Sequence, residues 1–534
     1  MVNTDDFAGT SAMTKLILRR DLMILPIFVI FMVILVVGIA ASFLELYPDE
    51  TIRQAFFLQM QNNPTIVALL GSVQDPSIGG LTAWRTGIPG TIVLGLISIF
   101  LIIRHTRSEE RKGRLEILNS TRVGRQAALT AAFIVTYGLS IFISFAIAAG
   151  LIGLGLPPES SLVLGLSMGV FGCLIAAISG VAVQFTESSG DARYITVAIL
   201  LGFFVLRILG WDNGNAAWIS WLSPIGWVHQ IRSFAGNELW VFGIFLIFIT
   251  GLTVTAYWLS SKRDLGAGII SQRPGPAHGS LRLKNSLALA WRLHRGMLLF
   301  WILIFALFGA MFGYTAQTIN DMINANPQFM SLISQLGGNA GPADSYFTFV
   351  LASLGEIFAV YAILATLKLR TQESKKYSEF ILTSSVSRND WAVSNLIFAV
   401  LGSATIMIIF GLVFGLSYGL NTGNLSTDLP RILTAIMAYL PAVWIFCGIS
   451  MALFGWLPRF TSLSWAVLGL IVVIDLLSGF YDLTPLIKNL SPYTNVPKLL
   501  VGDTLGWSLF LVLMVAALLI LIGIVGYNRR DING

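Results

Sequence analysis

Apolar residues run along this chain in long blocks, not in the narrow stripes of a soluble helix or the alternation of a strand. A helix rises 1.5 Å per residue, so crossing about 30 Å of hydrocarbon takes about 20 apolar residues. About twelve blocks approach that length. In the first half they lie at 22–44, 87–104, 126–152, 162–183, 194–210 and 239–260. In the second half they lie at 297–316, 346–367, 392–420, 432–456, 462–479 and 506–527, the fifth and eleventh of the series being short. The pattern predicts an all-α polytopic membrane protein. Its first block lacks a small-residue cleavage site and reads as an anchor, not a cleaved leader.

The polar segments between the blocks repeat. Arg107-Ser-Glu-Glu-Arg-Lys-Gly-Arg-Leu-Glu116 runs on to Val123-Gly-Arg125, and Arg370-Thr-Gln-Glu-Ser-Lys-Lys-Tyr-Ser-Glu379 runs on to Val386-Ser-Arg388. Both carry R-x-x-E-x-K-x-x-x-E followed by V-x-R. Asn63-Pro64 answers Asn326-Pro327, Leu222-Ser-Pro224 answers Leu490-Ser-Pro492, and Arg263-Asp-Leu265 answers Arg530-Asp-Ile532. Arg207 falls opposite Asp475 in the fifth span of each half. Six spans per half is an even number, so both halves enter the bilayer from the same side. The chain is therefore expected to hold two parallel six-helix repeats related by an axis along the membrane normal. The expected divisions are residues 1–260, a linker with an amphipathic helix over 261–296, and residues 297–534.

Composition agrees with the pattern: hydrophobic residues make up 55% and charged residues 11% of the chain. The net charge of +6 does not point to nucleic acid, because the cations collect in loops beside the spans. Most of the 33 Lys and Arg fall on one side if the N-terminus is inside. By the positive-inside rule both termini and both charged loops are then cytoplasmic, in a cell membrane. Met13, Leu16 and Ile17 against Lys15, Arg19 and Arg20, and Leu281 to Trp291 against Arg282, Lys284 and Arg292, read as amphipathic stretches along the inner surface.

The two loops invite a functional reading. Lys112 and Glu116 are four residues apart, as are Lys375 and Glu379, so each pair is expected on one face of a short surface helix. With Arg107, Glu110, Arg370 and Glu373 they form a pattern that a merely solvated loop does not need, and that suits docking to a soluble subunit. Charges inside spans are few: Arg207, Glu356 and Asp475. Such charges are costly and are usually functional or paired. Arg207 and Asp475, at equivalent places, are expected to meet across the pseudo-two-fold axis.

The loop after the second span resembles the coupling loop of ATP-binding-cassette permeases of the drug-export type. More narrowly, Gln184-Phe-Thr-Glu-Ser-Ser189, Trp221-Leu-Ser-Pro-Ile-Gly-Trp227 and Arg263-Asp-Leu-Gly-Ala-Gly268 with Arg273-Pro-Gly-Pro276 resemble fused bacterial permeases that export polyketide antibiotics. The resemblance implies the fold of the G-subfamily exporters, with a separate ATPase, in two copies, meeting the loops Arg107 to Glu116 and Arg370 to Glu379. It also implies that residues 211–238, with Trp211, Trp218, Trp221 and Trp227, dip back into the outer leaflet. In the second half Asn495-Val-Pro497 replaces Trp227-Val-His229, and Trp456-Leu-Pro-Arg459 replaces the Gln-Phe-Thr-Glu loop. Unequal halves are expected.

No G-x-x-x-x-G-K-[ST] loop occurs, so ATP and Mg are expected in the partner subunit and no cofactor in this chain. His105, His229, His278 and His294 lack ligand spacing, so no metal site is expected. Cys173 and Cys447, both within spans, are expected to be packing residues. No catalytic constellation appears, so the chain reads as a transport subunit, not an enzyme. The expected cargo is an amphiphilic or apolar drug or antibiotic, with Phe203, Phe204, Phe347 and Phe349 as candidate lining of its path. The alternative is a major-facilitator-like secondary transporter, which also has about twelve spans in parallel repeats.

Overall fold

The computed structural model describes residues 4–61, 70–111, 122–210, 217–264, 266–270, 285–325, 342–384, 386–480, 484–504 and 506–531, with Val67 and Gly113. Asn63-Pro64, Asn326-Pro327, Trp211 to Asn215, Gln272 to Pro276 and Leu281 to Lys284 lie outside them. Among the described residues the chain is helical, with no strand. Among the described residues eleven helices are long and apolar enough to cross a bilayer. The block expected at 462–479 forms an 18-residue apolar helix, Leu463–Phe480. This is a multi-pass membrane protein.

Surface chemistry supports that statement independently of length. Ile27, Ile30 and Ile34, or Leu246 and Ile247, are more than half exposed, which in water would form an apolar patch far beyond the usual size. Hydrocarbon accepts such faces without cost.

The chain divides into two compact units, Met1–Gly275 and Pro276–Gly534. The first contains α1 (Thr10–Arg20), α2 (Ile24–Leu46), α3 (Glu50–Gln61), α4 (Ile78–His105), α5 (Arg107–Glu110), α6 (Ala127–Gly153), α7 (Pro158–Phe185), α8 (Ser189–Leu209), α9 (Ala217–Ser220), α10 (Pro224–Gln230) and α11 (Trp240–Lys262). Helix α7 is its axle, packed by α4, α6, α8 and α11. Small residues explain this position. A Cβ at Gly165 would collide with the carbonyl oxygen of Ser144, and one at Gly169 with its hydroxyl, so α6 and α7 approach backbone to backbone. Helix α1 buries Met13 and Ile17 against Ala131 and Val135 of α6, while Leu16 stays exposed.

The second unit contains α12 (Ser286–Ala325), α13 (Pro342–Thr366), α14 (Lys368–Ser374), α15 (Tyr377–Leu382), α16 (Arg388–Thr422), α17 (Leu425–Ala438), α18 (Leu440–Trp456), α19 (Leu463–Phe480), α20 (Pro485–Lys488) and α21 (Trp507–Arg529). Its core is aromatic: Phe305 stacks on Phe358 at 4.2 Å between ring centres, with Phe410 and Phe414 edge-on or tilted beside them. Gly455 of α18 meets the backbone of Gly523 on α21, a second small-residue seam. Residues 286–296 correct one expectation, since they are not a separate surface helix but the opening turns of α12. In the first unit the corresponding break comes after Arg20, where buried Asp21 caps α1. Cys173 and Cys447 are buried free thiols.

Candidate functional site: two arginine–glutamate clasps

Helix α4 ends at His105, and the chain turns at Thr106 into the single turn of α5. That turn puts Arg107 and Glu110 on one side, three residues apart, where their side chains pair. Arg263, which caps the end of α11, reaches the same carboxylate with Nη2 to Oε1 at 2.5 Å and Nη1 to Oε2 at 3.0 Å. Its Nε donates to Gln184 Oε1 at 2.6 Å. Arg107 donates from Nε to the Thr186 carbonyl at 2.5 Å and from Nη2 to that of Ala267 at 2.7 Å. Arg125 closes the ring by donating to the carbonyls of Ser260, at 3.0 Å, and Arg263. The segment after α11 then runs along the end of α7, with Ile269 N donating to Gln184 O and Ile270 N to Phe185 O.

Burial gives this clasp its weight. The Arg107 side chain is 1% exposed, Arg263 7% and Glu110 8%. Two guanidinium groups share one carboxylate, and carbonyls with their partial negative charge take up the remaining donors. The arrangement joins the ends of three spanning helices, α4, α7 and α11, through side chains distant in sequence.

The same parts recur in the second unit. Arg530, which caps α21 as Arg263 caps α11, pairs with Glu373 at 2.5 Å. Arg388 Nη1 donates to the Arg530 carbonyl at 2.8 Å, as Arg125 does to Arg263. Arg370 approaches Glu373 only to 3.9 Å and is 35% exposed. No glutamine stands where Gln184 stands in the first unit. Instead the Arg530 guanidinium lies over the rings of Phe454, at 4.6 Å, and Tyr527. The second clasp is the looser of the two.

These contacts change the meaning of the loop pattern. Glu110 and Glu373 point inward to the helix ends and are not displayed to a partner. Lys112 and Glu116 lie outside the described residues. Lys375 and Glu379 are exposed, but the expected shared helical face does not form: α14 stops at Lys375, Lys376 takes φ +59°, and α15 starts afresh at Tyr377. A left-handed residue between them rotates one turn away from the next. What α15 displays is Phe380, 78% exposed, with Tyr377 beside it.

A further network escaped the sequence analysis. Asp21, fully buried, accepts from Arg104 at 2.8 Å and lies 2.8 Å from His105 Nε2. Arg20 reaches His105 Nδ1 at 3.1 Å and Glu109 at 3.0 Å. Surface helix α1 is thus fastened to the end of α4 beside the first clasp. Asp21→Asn, equal in size but uncharged, is expected to destabilise the protein by about 2 kcal/mol, since partly exposed Arg104 is left with a weaker partner. Thermal unfolding in detergent measures it, and an unchanged midpoint would show that the charge contributes nothing.

The charges inside spans find partners within their own unit. Arg207, buried, donates to the Val67 carbonyl at 3.3 Å and lies beside His229 across Gly71. His229 in turn contacts Ser72 and Gln74, each at 3.3 Å. Asp475 accepts from Ser491 Oγ at 2.7 Å, with Glu356 as its electrostatic neighbour.

Leu-Ser-Pro does one job twice. Ser223 caps α10 and Ser491 caps the 3₁₀ turn Pro492–Asn495, each accepting a backbone N–H two residues on. Trp227 is folded inward, its N–H donating to the Trp221 carbonyl at 2.6 Å. The second copy cannot extend into a helix because Pro497 lacks an N–H and holds Val496 extended. Of the four phenylalanines, Phe347 is a core residue against Phe414 and Tyr418, and Phe349 packs at the edge of that core. Phe203 and Phe204 pack against the core of the first unit.

Comparison with known proteins finds similarity over nearly the whole length of the chain. A family model described as multidrug efflux system permease Rv1217c, C-terminal domain, matches residues 58–258 and 283–528. The chain is 34% identical over 528 residues to the multidrug efflux system permease protein Rv1217c of Mycobacterium tuberculosis, covering 99% of this chain and 96% of the relative. A match this long takes in both charged loops and every candidate span, and on it the chain belongs to the family of multidrug efflux system permeases.

Proposed function

We propose that this chain is the membrane permease of an ATP-driven exporter of amphiphilic or apolar compounds, built from two parallel six-helix repeats and energised by a separate ATPase. One observation carries the reading: the same arginine–glutamate–arginine clasp recurs at the ends of the second and sixth spans of each half. A clasp stiffens the loop it closes, so that a force applied there moves the helix ends together. Two such loops suit two ATPase copies, with ATP and Mg held by the partner. Exposed Phe380 and Tyr377 beside the second clasp are the side chains a docking groove would take up. The relative's name, a multidrug efflux permease, supports the cargo class. On this reading the loops and both termini face the cytoplasm of a bacterial cell, and the intramembrane charges keep each half in register.

Affinity purification of the full chain from its native host in mild detergent tests the reading. The expected result is a co-purifying ATPase whose magnesium-dependent hydrolysis stays with the complex and supports efflux of an uncharged dye from proteoliposomes. Dye movement by the chain alone, driven by a proton gradient, would replace this reading with the secondary-transporter one.

A further inference from the structure

The first unit contains a cavity of about 680 Å³, open to one side, between α7, α8, α10 and α11. Every residue lining it is apolar or aromatic; Ile178, Ile199, Phe203, Trp221, Trp227 and Phe248 are representative. Three of its lining residues, Ile195, Leu222 and Phe248, are also exposed at the surface, an apolar entrance that suits hydrocarbon better than water. Its volume falls within the roughly 300–1,000 Å³ of sites that hold drug-sized molecules.

Two details of the wall identify the occupant. Two polar groups beside the cavity are already engaged: the Trp227 N–H donates to Trp221 O, and the Ser223 hydroxyl donates to the Phe203 carbonyl at 2.6 Å. Neither group demands a hydrogen-bonding partner of a ligand. At the same end, Trp221 stacks on Trp240 at 5.6 Å, and Trp227 is fixed by Phe245 and Phe248 at 5.3 and 5.2 Å. These are rigid ring faces, which favour a flat aromatic guest over a flexible saturated chain because ring–ring contacts add to simple burial. A charged guest would lose its hydration with nothing to replace it.

We infer that this side-opening cavity is a binding site for uncharged aromatic compounds taken from the bilayer. The inference rests on the efflux reading for its biological sense and names the cargo class and the side from which cargo is collected.

The test uses the full chain in lipid nanodiscs and a neutral polycyclic probe bearing a photoactivatable diazirine, with labelled peptides mapped after illumination. Labelling is expected in α7, α8 and α10, saturable, and displaced by excess pyrene. Ile199→Trp, which pushes an indole into the cavity and narrows it, should reduce labelling about tenfold, while Ile199→Leu should leave it near the wild-type level. Labelling that survives Ile199→Trp, or that a saturated-chain phospholipid displaces as well as pyrene does, would overturn the assignment, the second result giving the cavity to lipid. If Ile199→Trp yields no folded protein, Ala182→Leu on the neighbouring wall is read with the same two outcomes. Binding is measured without any ATPase, so its failure beside intact efflux sinks only this site. Intact binding without ATP-dependent efflux sinks the transport reading instead.

Discussion

Reversing Glu110 to lysine is expected to remove most of the folded protein, and reversing Glu373 to remove distinctly less. In the first clasp the carboxylate is the shared counter-charge of Arg107 and Arg263, all three side chains being less than a tenth exposed. Lysine there brings three cations together in a dry site. Breaking a buried pair by removing one partner costs about 3–5 kcal/mol, a large part of a total stability of about 5–15 kcal/mol. Glu373 keeps one close partner, Arg530, and a loose and partly solvated one, Arg370. A cost of about 1–3 kcal/mol follows for its reversal. Monodisperse yield in detergent and the thermal midpoint measure both. Exchanging the charges, with Glu110→Arg and Arg263→Glu together, should recover part of the loss, because the clasp again holds one anion between cations. Equal damage at Glu110 and Glu373, or no recovery in the exchange, would count against the clasp as described.

Replacing Gly165 with valine is expected to be nearly as damaging, for a reason that involves no charge. Its added Cβ meets the carbonyl oxygen of Ser144, part of a helix backbone that cannot step aside without moving α6 as a whole. Overpacking of this kind costs about 1–3 kcal/mol and more where the neighbour is backbone. Helix α7 carries much of the first unit's packing, so the shift spreads to α4 and α11. Gly138, on α6 itself, is the control: a Cβ there meets nothing within 4 Å, and Gly138→Val should leave the midpoint almost unchanged. The comparison separates close approach from loss of glycine as such, and similar midpoints for the two valine variants would contradict the seam.

Much of the architecture was legible from the chain. Blocks of about 20 apolar residues mark helices with little ambiguity, since a backbone in hydrocarbon must satisfy its own hydrogen bonds. The weak places were those where that rule loosens. The block 462–479 is marginal in length, and residues 286–296 continue straight into α12 because neither proline nor a buried cap interrupts them. The repeated loops were equally plain as sequence, because spacing survives in the chain whatever its purpose. Arg263 and Arg530 were visible as landmarks at nearly the same offset as Glu110 and Glu373, and that agreement was the one available hint that they meet.

What spacing does not carry is direction. Whether Glu110 faces a partner or a neighbouring helix end depends on how α4, α7 and α11 converge, which is set by contacts such as Gly165 on Ser144 far along the chain. The same holds for Lys375 and Glu379, separated by one left-handed residue at Lys376, and for His105, whose role is given by Asp21 more than 80 residues away. Local composition thus determined where this protein enters the membrane and that its polar loops repeat. Packing alone decided which charges neutralise one another and where an apolar cavity remains, because burial and pairing are properties of side chains brought together across the fold.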